Sequence, residues 1–72
     1  MATTMFLETE LADKGGEGDP IEFEVGRSSF YGGENLIYLV IDGKTVILNE
    51  RAGRELVDAF VRVGDYLGYR GH

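Results

Sequence analysis

The chain has 72 residues, no cysteine, 43% apolar residues and a net charge of −6. A chain this short forms one small domain, 1–72, and its lack of cysteine excludes a disulfide scaffold, a thiolate metal site and a cysteine nucleophile. The longest apolar run, Leu36–Ile41, is too short for a membrane span or a signal-peptide core. We therefore expect a cytoplasmic, intracellular protein with no membrane partner.

The negative charge is concentrated in the first half of the sequence. Residues 1–34 hold eight acidic and two basic side chains, whereas residues 35–72 hold five of each. Such a surface repels phosphate backbones at long range and attracts basic surfaces, including those that normally hold nucleic acid. Net charges of this size also occur in small domains where they serve only solubility, so the charge leaves both interpretations open.

Two segments of the first half alternate between apolar and acidic residues, which is the period of a half-buried strand. In 4–11, one parity contains Met5, Leu7 and Leu11, and the other contains Glu8 and Glu10. In 21–25, Ile21, Phe23 and Val25 alternate with Glu22 and Glu24. The segment between them, about 12–20, contains three glycines and a proline and predicts a flexible loop.

The second half predicts a hairpin followed by a helix. Leu36–Ile41 is apolar on both faces, as in a central strand, and the pair Asp42-Gly43 predicts a two-residue turn into a return strand, 44–48. Asn49 is suited to cap a helix that ends near Gly68, and 69–72 forms a tail. The expected fold is α+β, a four-stranded antiparallel sheet (β-β-β-β-α) with one C-terminal amphipathic helix packed on one face.

Two stripes of the predicted helix are apolar or small. The first, expected to pack on the sheet, contains Ala52, Leu56, Ala59, Phe60, Val63, Tyr66 and Leu67; the second contains Gly53, Val57, Val61 and Gly64. Together they cover roughly 220° of the helix, more than contact with one sheet requires. We predict a homodimer through the second stripe. The alternatives are that loop 26–35 covers this stripe or that Gly64 marks an early helix end.

No motif predicts catalysis. The segment Gly15–Gly18 lacks the helix and lysine that follow a phosphate-binding loop, and Asp13, Glu17 and Asp19 do not match the spacing of a calcium loop. The single histidine, His72, is the last residue and would be poorly held as a ligand or base. We expect no enzyme activity, no catalytic residues, no metal, no cofactor and no small-molecule substrate.

Two surfaces remain as candidates for binding. If the first two strands pair, Glu8, Glu10, Glu22 and Glu24 form one acidic face that suits a basic protein partner. The other candidate combines Arg27 with aromatic residues that can stack on bases, Phe30, Tyr31 and Tyr38. One cation is a small electrostatic footprint for a nucleic-acid site, which disfavours nucleic acid without excluding it.

The segment Leu36–Ile41, the Asp42-Gly43 turn, the strand 44–48 and the helix from Asn49 resemble the last strand–strand–helix unit of the single-strand-binding fold. That fold is shared by positive transcriptional coactivators, PUR repeats and Whirly proteins. The resemblance covers the second half of the chain and implies a four-stranded sheet, pairing through the helix, and nucleic-acid binding on a basic sheet face. The acidic residues of this chain depart from that pattern on the last point.

The expected function is that of a non-enzymatic acidic protein-interaction module. It would act as an inhibitor or nucleic-acid-mimicking decoy on a basic partner, in the manner of the anti-defence proteins of phages and mobile elements. The alternative is a single-stranded nucleic-acid-binding dimer of the coactivator or PUR type.

Overall fold

The computed structural model describes residues 3–69. Its elements, in chain order, are β1 (Thr3–Leu11), β2 (Ile21–Ser28), β3 (Leu36–Ile41), β4 (Lys44–Ile47) and α1 (Glu50–Leu67). The strands form one antiparallel sheet in the order β1-β2-β3-β4, so each strand pairs with its neighbour in sequence. The predicted α+β fold is confirmed. Most of the predicted tail, 69–72, including His72, lies outside the described residues.

The turns follow the local sequence signals. Asp42 and Gly43 have φ values of 54° and 80°, the left-handed conformations that a two-residue hairpin between β3 and β4 requires. The loop 12–20 contains no helix or strand and is held at its start by Asp13, whose Oδ2 accepts a hydrogen bond from the Gly15 backbone N–H at 2.8 Å. Strand β2 is longer than predicted and continues through Gly26 to Ser28.

Both ends of α1 are capped as predicted. The side chain of Asn49 accepts a hydrogen bond from the Ala52 backbone N–H at 2.8 Å. At the other end Gly68 adopts the left-handed conformation, with φ 79°, and its N–H bonds to the Asp65 carbonyl. The helix runs through Gly64 to Leu67, so an early end at Gly64 is wrong. Within residues 3–69 no helix is both long and apolar enough to cross a bilayer.

The strand register divides the sheet into two chemically different faces, because residues opposite each other in antiparallel strands share a face. We call the first the apolar face; it carries Leu7, Leu11, Ile21, Phe23, Val25, Ile37, Leu39, Ile41 and Val46. We call the second the glutamate face; it carries Glu8, Glu10, Glu22, Glu24 and Gly26 on β1 and β2, and Leu36, Tyr38, Val40 and Ile47 on β3 and β4. The two faces differ in which part of the fold they contact.

One predicted face assignment is wrong. Met5 pairs with Gly26 and Leu7 pairs with Val25, with an irregularity in register between them. The intervening Phe6 is therefore the extra residue of a β-bulge, which reverses the alternation of the strand. Met5 consequently lies on the glutamate face, whereas Leu7 lies on the apolar face.

The helix contacts the sheet only through its first two turns. Gly53 is buried against Ile37 of β3, where an added Cβ would lie 3.3 Å from the Ile37 Cδ1, and Ala52 and Leu56 are half-buried. Beyond Leu56 every described helix residue except Gly64 is exposed. The predicted packing of the whole first stripe is therefore wrong for its second half, which contains Ala59, Phe60, Val63, Tyr66 and Leu67.

The size of the elements explains this difference. A helix of 18 residues is about 27 Å long. A strand of six residues such as β3 extends about 20 Å, and the four strands together are less than about 20 Å wide. The helix is therefore longer than β3, the strand that it contacts. Its distal half, 57–67, is exposed except at Gly64.

Candidate interaction surface

The structure brings the four predicted glutamates together on the glutamate face. In the pairing of β1 with β2, Glu8 lies opposite Glu24 and Glu10 lies opposite Glu22. Directly opposed residues of an antiparallel pair have Cβ atoms about 4.5–5.5 Å apart. The face thus carries two like-charge pairs, separated by the Thr9–Phe23 pair of the opposite face; we call these four side chains the square of carboxylates.

No cation within residues 3–69 forms an ion pair with this square. The ion pairs of the described chain lie along the exposed side of α1: Arg51–Glu55, Arg54–Glu50 and Arg62–Asp58, at 3.6, 2.8 and 2.9 Å. The register places both basic residues of the strands, Arg27 and Lys44, on the apolar face. The negative charge of the glutamate face is therefore uncompensated by the described part of its own chain.

Tyr38 anchors one corner of the square. It lies opposite Gly26, and a Cβ added to Gly26 would come within 2.7 Å of the Tyr38 Cε2, so only glycine leaves room for the ring on the strand. The Tyr38 hydroxyl donates a hydrogen bond to the Glu24 carboxylate. This bond, burial, and the charges of Glu24 and Glu8 raise the pKa of Tyr38 above its ordinary value. The tyrosine therefore stays neutral and fixes Glu24 in place.

The sequence prediction missed this arrangement. Tyr38 was considered only as a base-stacking residue, yet it is the one buried large apolar side chain of the described chain, with 6% of its surface exposed. Gly26, which directly follows the alternating segment 21–25, could have indicated this arrangement. A glycine within a strand often marks a place where another group approaches the backbone closely.

The residues proposed for nucleic-acid contact are not brought onto one surface. Arg27 lies on the apolar face, where it donates to Thr4 Oγ1 at 2.7 Å and to Asn35 Oδ1 at 3.3 Å, whereas Tyr38 is buried on the opposite face. Phe30 and Tyr31 lie in the loop after β2, exposed, with ring centroids 4.9 Å apart in an edge-to-face contact. That loop pair is the only part of the set still open to a base.

The predicted dimer stripe is divided between buried and exposed positions. Gly53 and Gly64 are buried, and Val57 and Val61 are exposed. The two valines line an open groove of about 730 Å³ between α1 and the start of β3, together with Leu36 and Ile37. Glu34 and Asn35 form part of this groove's wall, so the loop before β3 borders this part of the stripe and leaves it open.

Within residues 3–69, no three acidic, histidine or cysteine side chains are placed to hold a metal ion. Asp13 of the candidate cation set is engaged with the backbone of its own loop. Comparison with known proteins adds no relative: no family model, curated protein or solved structure matches the chain.

Proposed function

We propose that the protein is a non-enzymatic interaction module whose glutamate face binds a basic partner protein. The observation that carries this proposal is the register that sets Glu8 against Glu24 and Glu10 against Glu22 with no cation of the described chain between them. Opposed like charges destabilise a sheet by roughly 0.2–1 kcal/mol per pair. A cationic surface docked on the square removes that repulsion, so part of the cost in the free protein is recovered on binding.

The arrangement suits a surface that competes for a site normally occupied by a polyanion. Carboxylates two residues apart in a strand are separated by about 6.8 Å, and the next strand repeats the row about 4.8 Å away. The backbone that carries these two rows of negative charge is already ordered in the sheet, so binding has to order only the glutamate side chains. We therefore place the module among inhibitors or decoys that mimic nucleic acid, of the anti-defence type, acting on a basic groove.

The proposal is tested by removing the charge without changing the shape. In the face variant, Glu8, Glu10, Glu22 and Glu24 are all replaced by Gln. In the matched control, Asp13→Asn, Glu17→Gln, Asp19→Asn and Glu34→Gln remove the same four charges from exposed loops. Each protein is used as bait in its own host, and captured proteins are quantified by mass spectrometry.

We expect a basic protein that the wild type and the loop variant retain and the face variant loses. Its binding should weaken as salt rises, because exposed charges are screened over about 8–10 Å. Equal capture by the face and loop variants would refute the assignment of the surface. Fluorescence anisotropy with a labelled single-stranded oligonucleotide tests the alternative: micromolar or tighter binding by the wild type at physiological salt would replace the decoy proposal with nucleic-acid binding.

A further inference from the structure

The single chain exposes far more surface than a compact domain of its mass. Its accessible area is 5943 Å², whereas a folded monomer of 8.0 kDa exposes about 4,450 Å². Its radius of gyration is 14.0 Å, against about 11 Å for a compact domain of this length. The excess is about 1,500 Å² per chain.

Two exposed apolar surfaces contribute to this excess. On the sheet, the apolar face leaves Leu7, Leu11, Ile21, Ile41 and Val46 exposed. On the helix, the distal half exposes Phe60, Val63 and Leu67, with Phe60 64% exposed. Large apolar side chains clustered at the surface of a small protein mark an interaction site.

These two surfaces are complementary halves of one missing interface. At 100° per residue, Phe60, Val63 and Leu67 point in the same direction as Ala52, Gly53 and Leu56, the residues that already approach β3. The distal half of the helix thus continues the stripe that packs on β3, but its side chains are exposed. The apolar face is a helix-packing surface that its own helix covers only at Ile37 and its surroundings.

We propose that two copies of the chain associate about a two-fold axis, each laying the distal half of its helix over the apolar face of the other's sheet. Each chain carries both surfaces: a helix half whose apolar side chains are exposed and a sheet face that is mostly uncovered by its own helix. A second copy of the chain can therefore cover both at once. A self-complementary interface of this kind is the standard form of a two-fold dimer. The inference concerns the apolar face and is independent of the function assigned to the glutamate face.

The area and the charge agree with this arrangement. An interface that buried the whole excess of both chains would cover about 3,000 Å² in total, within the range of about 2,000–5,000 Å² seen for obligate homodimers. The glutamate faces lie on the other side of each sheet and point away from the interface. The two acidic squares are therefore kept apart, and both remain accessible.

This dimer differs from the one predicted from the sequence. That prediction used the stripe of Gly53, Val57, Val61 and Gly64 to bring two helices together. The reciprocal dimer uses Phe60, Val63 and Leu67 against strands. A cross-linking experiment separates the two because the protein contains no cysteine.

Single-cysteine variants provide the test. Phe60→Cys is mixed with Leu7→Cys and, separately, with Val46→Cys, which lie on the apolar face in the two edge strands, and the mixtures are mildly oxidised. We expect a helix-to-sheet disulfide with at least one partner, several-fold above the yield with Arg51→Cys, which lies on the charged side of the helix. Light scattering of the unmodified protein at micromolar concentration should give twice the chain mass of 8.0 kDa.

Two results would overturn the proposal. The first is a monomer mass at 100 µM for the unmodified protein, a measurement that does not depend on any variant folding. The second is a dimer in which Val57→Cys or Val61→Cys forms a disulfide efficiently with a second copy of the same variant. In that case the disulfide yield of every helix-to-sheet mixture would be no higher than the yield with Arg51→Cys. That outcome would assign the interface to the helix stripe instead.

Discussion

Gly26 is the position where the smallest chemical change should have a large effect. It lies within β2, between the edge strand β1 and Tyr38. A methyl group added there would meet the Thr4 carbonyl oxygen, the Tyr38 Cε2 at 2.7 Å and the Met5 Cα at 3.0 Å. Two of these three atoms belong to the backbone of β1, so rotation of a side chain cannot relieve the overlap. In Gly26→Ala, β1 and the tyrosine ring must both move.

The size of the effect follows from two opposing terms. Overpacking of this kind costs about 1–3 kcal/mol, whereas replacing glycine by alanine lowers the entropy of the unfolded chain and returns about 0.4–1 kcal/mol. We expect a net loss of about 1.3 kcal/mol in the free energy of unfolding, the difference between the middle values of the two terms. With a urea m-value of about 1–2 kcal/mol/M for a small domain, the midpoint should fall by about 1 M.

Urea titration followed by circular dichroism measures this loss. All variants are compared at one protein concentration, because the stability of a dimer depends on concentration. Gly15→Ala is the matched control: it lies in loop 12–20, its φ is not in the left-handed region, and an added Cβ would lie 3.1 Å from the Asp13 Oδ2 and 4.0 Å from the Glu17 Cγ, both of which are side-chain atoms. It should change stability by less than about 0.5 kcal/mol. A Gly26→Ala protein as stable as Gly15→Ala would show that Tyr38 does not lie against this strand.

Three further measurements follow from the same contacts. Replacing Glu8 and Glu22 by Gln removes one charge from each opposed pair; the free energy of unfolding should rise by about 0.4–2 kcal/mol at low salt, and a gain that does not shrink in 1 M salt would contradict the charge explanation. In absorbance titration at high pH, Tyr38 should ionise above the ordinary tyrosine pKa, since the hydrogen bond to Glu24, burial and the nearby carboxylate charges raise its pKa. Because the raised pKa belongs to the folded state, this contribution to stability is complete below the ordinary tyrosine pKa and is lost as pH rises through the higher value. Subtracting the titration curve of Tyr38→Phe from that of the wild type gives the titration of Tyr38 alone. A midpoint at the ordinary tyrosine pKa in that difference would contradict the raised pKa. Asn49→Ala should cost about 0.5–2 kcal/mol by loss of the helix cap while Asn49→Asp retains most of it, so equal urea midpoints for the two variants would exclude the cap.

The glutamate face and the apolar face lie on opposite sides of one sheet. If the reciprocal dimer forms, it presents two glutamate faces in a fixed relation, and a partner with two basic sites would bind both with a gain from effective concentration. Loss of the dimer would then weaken capture of such a partner without changing any glutamate. The face variant and the cysteine cross-links therefore probe separable properties of the molecule.

Local features of the fold were readable from the sequence because they depend on a few neighbouring residues. The Asp42-Gly43 turn needs two left-handed conformations, which Gly and Asp tolerate, and both are observed. The Asn49 cap and the Gly68 end follow from the unpaired backbone groups of a helix terminus. The parity of Glu8 and Glu10, and of Glu22 and Glu24, placed each pair on one face because the side-chain period of a strand is two.

Only the tertiary structure shows which residues of different strands come together. Alternation shows which residues share a face of one strand but not which strand lies beside it, so only the register set Glu8 against Glu24. The bulge at Phe6, which moves Met5 to the other face, depends on the pairing of β1 with β2 and has no counterpart in the pattern of one strand. The burial of Tyr38 over Gly26 likewise required two strands to come together.

The helix shows most clearly which features follow from the sequence and which depend on the tertiary structure. Periodicity alone determined that Phe60, Val63 and Leu67 share a direction with Ala52 and Leu56, because that relation is set by the 3.6-residue turn. Whether a sheet lies beneath them depends on the lengths and positions of elements far apart in the chain. Only the folded structure shows that the first two turns of the helix pack on β3 whereas the apolar side chains of its distal half are exposed.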